Sequence, residues 1–284
     1  MNILSIQSHV AYGHVGNRSA VFPLERLGYE VWPINTVQYS CNAGVPGWTG
    51  TAFGAAHVAD VVGGLVRLGA MGRCDAVLSG YVGDAETGRA ILDAVSVAKR
   101  LNPATIYCCD PVMGDRPEGL YVRGELPGFF AEEAMPAADI VCPNVFEAEL
   151  LSGHGIDSAD DLARATDAIH AKGPGVVMVT SYRPPSGDRI GFYVSDGETK
   201  LAATAPVIRF DRPPKGSGDL SSALFLGYYM MGDGVRVAVE KTLDALYSVL
   251  ESSASGGGDN LAIIAAQDAI AKPGRRFAAA APTE

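Results

Sequence analysis

Short, almost wholly apolar segments alternate with longer segments of helical spacing along nearly the whole chain. This alternation limits the possible folds more than any other feature of the sequence. Residues 3–7, 29–37, 75–79, 105–109, 139–142 and 176–180 read as buried strands. Residues 15–27, 55–68, 84–101, 145–152, 158–172, 218–231 and 235–252 read as helices between or after them. Strands that are apolar on both sides, separated by helical crossovers, predict a mostly parallel sheet covered on both faces. One stretch breaks the rhythm. Residues 189–194 and 200–203 flank Asp196-Gly197, a hairpin signal that predicts a small antiparallel extension. Residues 252–259 read as a small-residue linker, 261–271 as a last helix, and 278–284 as a frayed end.

The chain has enough apolar material for that design. It is 284 residues long, with 48% hydrophobic and 19% charged residues, which suits one domain spanning residues 1–284 and excludes a disordered chain. The longest apolar windows, 223–231 and 261–266, are far shorter than a membrane span requires. The N-terminus has no basic segment ahead of its apolar run, so it reads as a strand rather than a signal peptide, and a cytoplasmic location is expected. The five cysteines (Cys41, Cys74, Cys108, Cys109, Cys142) are odd in number and lack CxxC spacing, which agrees with a reducing compartment and no zinc site. A net charge of −10 with no Lys/Arg-rich run makes nucleic acid and anionic membrane poor partners. A phosphorylated ligand then needs a local device, either backbone N–H groups or a metal.

In an open α/β sheet ligands bind beyond the carboxyl ends of the strands. Small, polar and acidic residues collect there. Ser8 to Asn17 follow the first strand, Gly80 to Asp84 the third and Asp110 to Asp115 the fourth. Pro143 to Glu147 follow the fifth, and Thr180 to Tyr182 end the sixth. One shared cleft is expected.

The sharpest local signal is Lys215-Gly216-Ser217-Gly218-Asp219, which runs into an apolar helix. Glycines let the backbone turn tightly and aim N–H groups one way, and the helix terminus adds partial positive charge. Asp219 beside such a cradle could accept the proton of an alcohol attacking phosphorus. The same string also fits a plain turn with an Asp cap. Asp110, Asp115, Asn144 and Glu147 at adjacent strand ends suit a hard, hydrated cation bridging phosphates, while singly they read as caps and turn residues. Ser8, Tyr81 and Tyr121 could hold an aromatic, hydrogen-bonding substrate. His9, His14 and Trp48 read as packing or surface residues, and Cys142 as structural. GxxxxGK[ST], GxGxxG and GxSxG are all missing, which excludes Walker-A chemistry and an α/β-hydrolase elbow and disfavours a dehydrogenase.

Taken together, the stretches 6–17 (IQSHVAYGHVGN), 31–40 (VWPINTVQYS), 78–81 (LSGY), 109–115 (CDPVMGD), 143–150 (PNVFEAEL), 216–219 (GSGD) and 265–273 (AAQDAIAKP) closely resemble the pyridoxal kinases of the ribokinase-like superfamily. The likeness implies a three-layer α/β/α sandwich and ATP-dependent phosphorylation of the 5′-hydroxyl of pyridoxal, extending to pyridoxine and pyridoxamine. It implies Asp219 as general base, with Gly216, Ser217 and Gly218 supplying amides to the migrating phosphoryl group. Asp115 and Glu147 would lie at a magnesium ion or another divalent cation, and Asp110 and Thr180 at a monovalent cation such as potassium. Asn144, Ser181 and Lys215 would lie by the nucleotide, Ser8 and Tyr81 at the pyridine ring, and Tyr121 over the ligands. Homodimers are typical of the family.

One departure stands out. Where the family has a ring-contacting Thr, this chain has Ala43, within Ser40-Cys41-Asn42-Ala43-Gly44. Loss of one neutral hydrogen bond would weaken ring binding by roughly 0.5–1.5 kcal/mol unless Asn42 or water replaces it. Two alternatives therefore stand beside the pyridoxal kinase reading. One is a kinase of another hydroxymethyl heteroaromatic, such as hydroxymethylpyrimidine. The other is a non-catalytic pyridoxal-binding protein, which the intact Asp219 and its glycines disfavour.

Overall fold

The computed structural model describes residues 1–257 and 259–282. The chain runs β1 (Asn2–Val10), α1 (Asn17–Arg26), β2 (Glu30–Tyr39), β3 (Gly50–Ala52), α2 (Ala55–Arg67), β4 (Ala76–Ser79), α3 (Ala85–Leu101) and β5 (Ile106–Cys109). A hairpin, β6 (Gly114–Asp115) and β7 (Gly119–Leu120), and a short α4 (Leu126–Phe129) lead to β8 (Ile140–Val141), α5 (Val145–Ser152), α6 (Ala159–His170) and β9 (Val176–Tyr182). It then runs β10 (Arg189–Ser195), β11 (Lys200–Pro206), α7 (Ser217–Tyr229), α8 (Gly234–Ser255) and α9 (Gln267–Ala271).

The main sheet has the order β11-β10-β9-β8-β5-β4-β1-β2-β3. Its centre, β9 through β2, is parallel. The β10–β11 hairpin joins antiparallel at one edge and β3 at the other. Alternate residues of each strand enter opposite cores. Ile3, Ala76, Leu78, Val176 and Met178 meet residues of α1, α7, α8 and α9. Leu4, Val77, Val177 and Val179 meet residues of α2, α3, α5 and α6. This period-two partition of apolar strands makes the expected three-layer sandwich.

Polar side-chain caps set the starts of α3, α5 and α6. The Asp84 carboxylate accepts the Thr87 N–H at 2.8 Å and Ser158 caps α6. Asn144 and Glu147 form a reciprocal capping box at α5. α7 is buried all round from Leu220 to Tyr228, wedged between α1 and α8. No helix among the described residues is long and apolar enough to cross a membrane.

Several expectations need correction. The short β3, the β6–β7 hairpin and the turns of residues 126–137 are too short to carry a readable period; the exposed β3 is held by its pairing with β2. The last helix is only Gln267–Ala271. Leu261, Ile263 and Ala266 are buried as irregular chain instead, filling the α7–α8 core. α8 runs on to Ser255, taking the start of the expected linker; Gly258 lies outside the described residues. The tail is held, not frayed, through Ala280, which exchanges two backbone hydrogen bonds with Ala202 on β11, at 2.8 and 3.0 Å. Arg276 anchors the same segment on the wholly buried Asp244. Thr283 and Glu284 lie outside the described residues.

Candidate active site

The glycines of the 215–219 turn serve two different needs. Gly216, which caps α7, has φ 91°, and a Cβ there would fall 1.8 Å from the His14 carbonyl oxygen. Here close packing demands glycine. Gly218 lies inside the helix, and a Cβ there would meet no protein atom within 4 Å. Its lack of a side chain leaves open space at the helix end. The first hydrogen bond of this turn is Leu220 N–H to Gly216 O at 3.0 Å, so the amides of Ser217, Gly218 and Asp219 precede the helical ladder. The two glycines should therefore separate experimentally. Gly216→Ala is expected to lower thermal stability by about 2 kcal/mol or more through overpacking and φ strain. Gly218→Val should leave the melting temperature nearly unchanged yet raise KM for ATP by about tenfold or more by filling an anion cradle. A Gly218→Val enzyme with native ATP kinetics would remove the cradle from the account.

Asp219, in the first turn of α7, faces the backbone N–H of Gly16. Burial pushes its carboxyl up to about 6, and the Gly16 amide opposes that rise. Asp110, at the end of β5, accepts the Ser222 hydroxyl at 2.8 Å on its Oδ2. Burial raises its pKa well above the usual carboxylate range, with further contributions from the charges of Glu147 and Asp219. Glu147 is buried; its Oε1 accepts the N–H groups of Met113 at 2.8 Å and Gly114 at 3.3 Å, and its Oε2 that of Asn144 at 2.9 Å. Burial still lifts it to about 7. Asn144 Nδ2 closes the circuit by donating to Gly114 O at 2.7 Å.

Thr180 and Ser181 lie at the end of β9. Thr180 forms a bridge with Asn144, and its N–H donates to Pro143 O at 2.8 Å. Ser181 has φ 63°, and the β9–β10 register skips it, so it bulges out of the sheet. A non-glycine residue held in the left-handed region at such a place marks a site where structure overrides local preference.

The β6–β7 hairpin overhangs these groups. Asp115 is raised by burial, with the Arg116 N–H, which its Oδ1 accepts at 2.8 Å, and the charge of Lys215 acting the other way. Tyr121, which follows β7, is largely exposed. Burial raises its pKa, and so do the charges of Glu147, Asp110, Asp219 and Asp115. The charges of all four carboxylates therefore bear on this one phenol.

Near the carboxyl end of β1, Ser8 lies at an irregularity in the β1–β2 pairing. The Tyr81 carbonyl accepts the Thr36 hydroxyl at 2.8 Å, while burial raises the Tyr81 phenol. Ala43 sits on an exposed loop. Asn42 does not stand in for the missing hydroxyl with its oxygen, because that oxygen accepts the Gly44 N–H at 2.9 Å. Burial and the charge of Arg18 lower the pKa values of His9 and His14. All five cysteines are free. Among the described residues no group of three or more His, Cys, Asp or Glu side chains is arranged to hold a metal, so there is no ready-made cage.

The residues not singled out beforehand are Ser222 and Gly16. Ser222 was readable: it lies three positions after Asp219 on one helix, hence on the same face. Gly16 was not, because its contact with Asp219 spans most of the chain.

A family model described as phosphomethylpyrimidine kinase matches residues 67–262. Over 98% of its length the chain is 42% identical to pyridoxal kinase PdxY of Rubrobacter xylanophilus, covering 96% of that protein. It is 40% identical to pyridoxal kinase PdxY of Deinococcus radiodurans, covering 98% of this chain and 95% of that one. Pyridoxal kinase from Leishmania donovani, solved with ADP and pyridoxamine, superposes over all of this chain and 99% of its own with a TM-score of 0.90 at 26% identity. Plasmodium falciparum PdxK, solved with AMP-PNP and PL, gives a TM-score of 0.88 at 27% identity, over all of this chain and 99% of its own.

Proposed function

Since the chain belongs to the pyridoxal kinase family, we propose that it transfers the γ-phosphoryl group of ATP to the 5′-hydroxyl of pyridoxal, giving pyridoxal 5′-phosphate. The observation that carries this reading is the meeting of the Asp219 carboxylate and the leading amides of α7 at one cleft. Asp219 takes the hydroxyl proton as that oxygen attacks phosphorus, and the amides around Gly216, Ser217 and Gly218 hold the negative charge on the transferring group. Asn144, Ser181 and Lys215 position the nucleotide. Ser8 and Tyr81 hold the ring, and Tyr121 covers the pair.

The acids fit a divalent cation. Burial raises Asp110, Asp115 and Glu147; the charge of Glu147 adds to the rise at Asp110 and that of Asp115 to the rise at Glu147, while the Arg116 N–H and the charge of Lys215 act the other way at Asp115. Asp115 and Glu147 would hold magnesium, and Asp110 with Thr180 a monovalent ion. Both Glu147 oxygens already accept backbone N–H groups, so the site suits an ion that keeps its waters. Magnesium, when bound, would neutralise phosphate charge. The whole chain acts as one kinase unit in this reading, in the cytoplasm and as a homodimer like others of the family.

The phosphomethylpyrimidine kinase match favours a second reading, a hydroxymethylpyrimidine as acceptor. That match stops short of residues 1–66, which hold Ser8 and Ala43, whereas the pyridoxal kinase relatives extend through them. ATP consumption with pyridoxal, pyridoxine, pyridoxamine and hydroxymethylpyrimidine, side by side, separates the two. We expect kcat/KM for the best B6 vitamer to exceed that for the pyrimidine by about tenfold or more, the scale of one or two ring hydrogen bonds. A pyrimidine turned over faster than all three vitamers would reverse the assignment.

A further inference from the structure

The stretches 6–17 and 31–40 supply Ser8 to the site, yet they also carry Asn17 and Asn35, whose chemistry the reaction does not use. Asn17 opens α1 and is 2% exposed. Its Oδ1 accepts the Ser5 hydroxyl at 2.8 Å. Its Nδ2 donates to Ile34 O at 3.1 Å and to Asn35 Oδ1 at 2.8 Å. Ser5 Oγ in turn accepts from Gln7 Nε2 at 3.0 Å, and Ser5 and Gln7 are buried as well. Every bond points the same way, from Gln7 through Ser5 and Asn17 to β2, so each donor fixes the rotation of the next. Burying this many polar groups costs stability unless all are paired, and apolar side chains would cap the sheet more simply.

What the network holds is the residue before it. Gly16 has φ 53° and ψ −132°. A Cβ there would fall 2.1 Å from the Ser8 carbonyl oxygen and 2.4 Å from its hydroxyl. The turn that carries Asp219 packs against the same segment, since a Cβ at Gly216 would fall 1.8 Å from the His14 carbonyl oxygen, and the Gly16 amide lies on the Asp219 side. One peptide unit therefore touches both the ring side and the base side of the cleft. We propose that Asn17 is a positioning residue. Its buried amide pins the start of α1 to β1 and β2, and so registers Ser8 against Asp219 through Gly16. This inference rests on the kinase reading above.

The direction of the bonds makes the test specific. Asn17→Asp keeps the shape but loses the donor that two oxygens require, whereas Asn35→Asp keeps the acceptor that Asn17 requires. With pyridoxal and ATP, we expect kcat of Asn17→Asp to fall about tenfold, KM for ATP to stay within about threefold, and Asn35→Asp to remain close to the unaltered chain, as small misplacements act on the chemical step. A purely structural role would lower the melting temperature of Asn17→Asp and leave kcat per folded molecule alone. A kcat for Asn17→Asp less than about fivefold below that of Asn35→Asp overturns the proposal. If Asn17→Asp does not fold, Ser5→Ala carries the same threshold against the unaltered chain. Turnover by the unaltered chain in that assay tests the kinase reading separately.

Discussion

Replacing Asp219 with alanine is expected to lower kcat by about a thousandfold or more while ATP binds nearly as before. General base catalysis contributes about 10²–10⁴ in rate, and a loss of that size is about 3–5 kcal/mol of transition-state stabilisation. ATP affinity should survive because the cradle is built from main-chain amides that the substitution leaves in place. Single-turnover kinetics with a separate measurement of nucleotide binding checks both halves. The wild-type pH profile gives a second view of the same carboxylate. A base works only when deprotonated, and burial pushes Asp219 up to about 6. Thus kcat/KM should be level above neutrality and fall by about tenfold per pH unit below that value. Near-native turnover in Asp219→Ala, or an acid limb that persists unchanged in it, would mean that another group takes the proton.

Removing divalent cations is the second large effect expected. Excess chelator should reduce turnover to about a thousandth or less, because charge neutralisation on the phosphates is lost together with their alignment. The acids make the dependence steep. Asp110, Asp115 and Glu147 each have their charged form disfavoured by burial, and without a cation they repel one another and the triphosphate alike. Adding magnesium back should restore activity fully. Turnover unaffected by excess chelator would show that backbone amides and Lys215 suffice, and that the acids serve the fold alone.

How far these residues could be read in advance depended on whether their partners were local. Asp219 and its glycines lie next to one another, and Asn144 with Glu147 forms a capping box within one helical turn, so a short string contains most of what fixes their geometry. Ala43 was equally visible as a departure from the family pattern, although the string could not show that Asn42 folds back on Gly44. The family resemblance singled out Ser181, but nothing in the string showed that the β9–β10 register would skip it and leave it in a left-handed conformation.

The linear order of residues was enough to predict the layered α/β architecture and to bring forward Asp219 and its glycines as the candidate base and cradle. Hydrophobic period and short capping motifs are properties of neighbours along the chain, and they survive without coordinates. Only the folded molecule decided that Gly16 faces Asp219, that Ser222 holds Asp110, that Asn17 locks two strands, and that the C-terminal segment pairs with β11. Each of these contacts joins residues far apart in sequence. Their energy is realised only when packing has already closed the intervening loops, and no local preference encodes that closure.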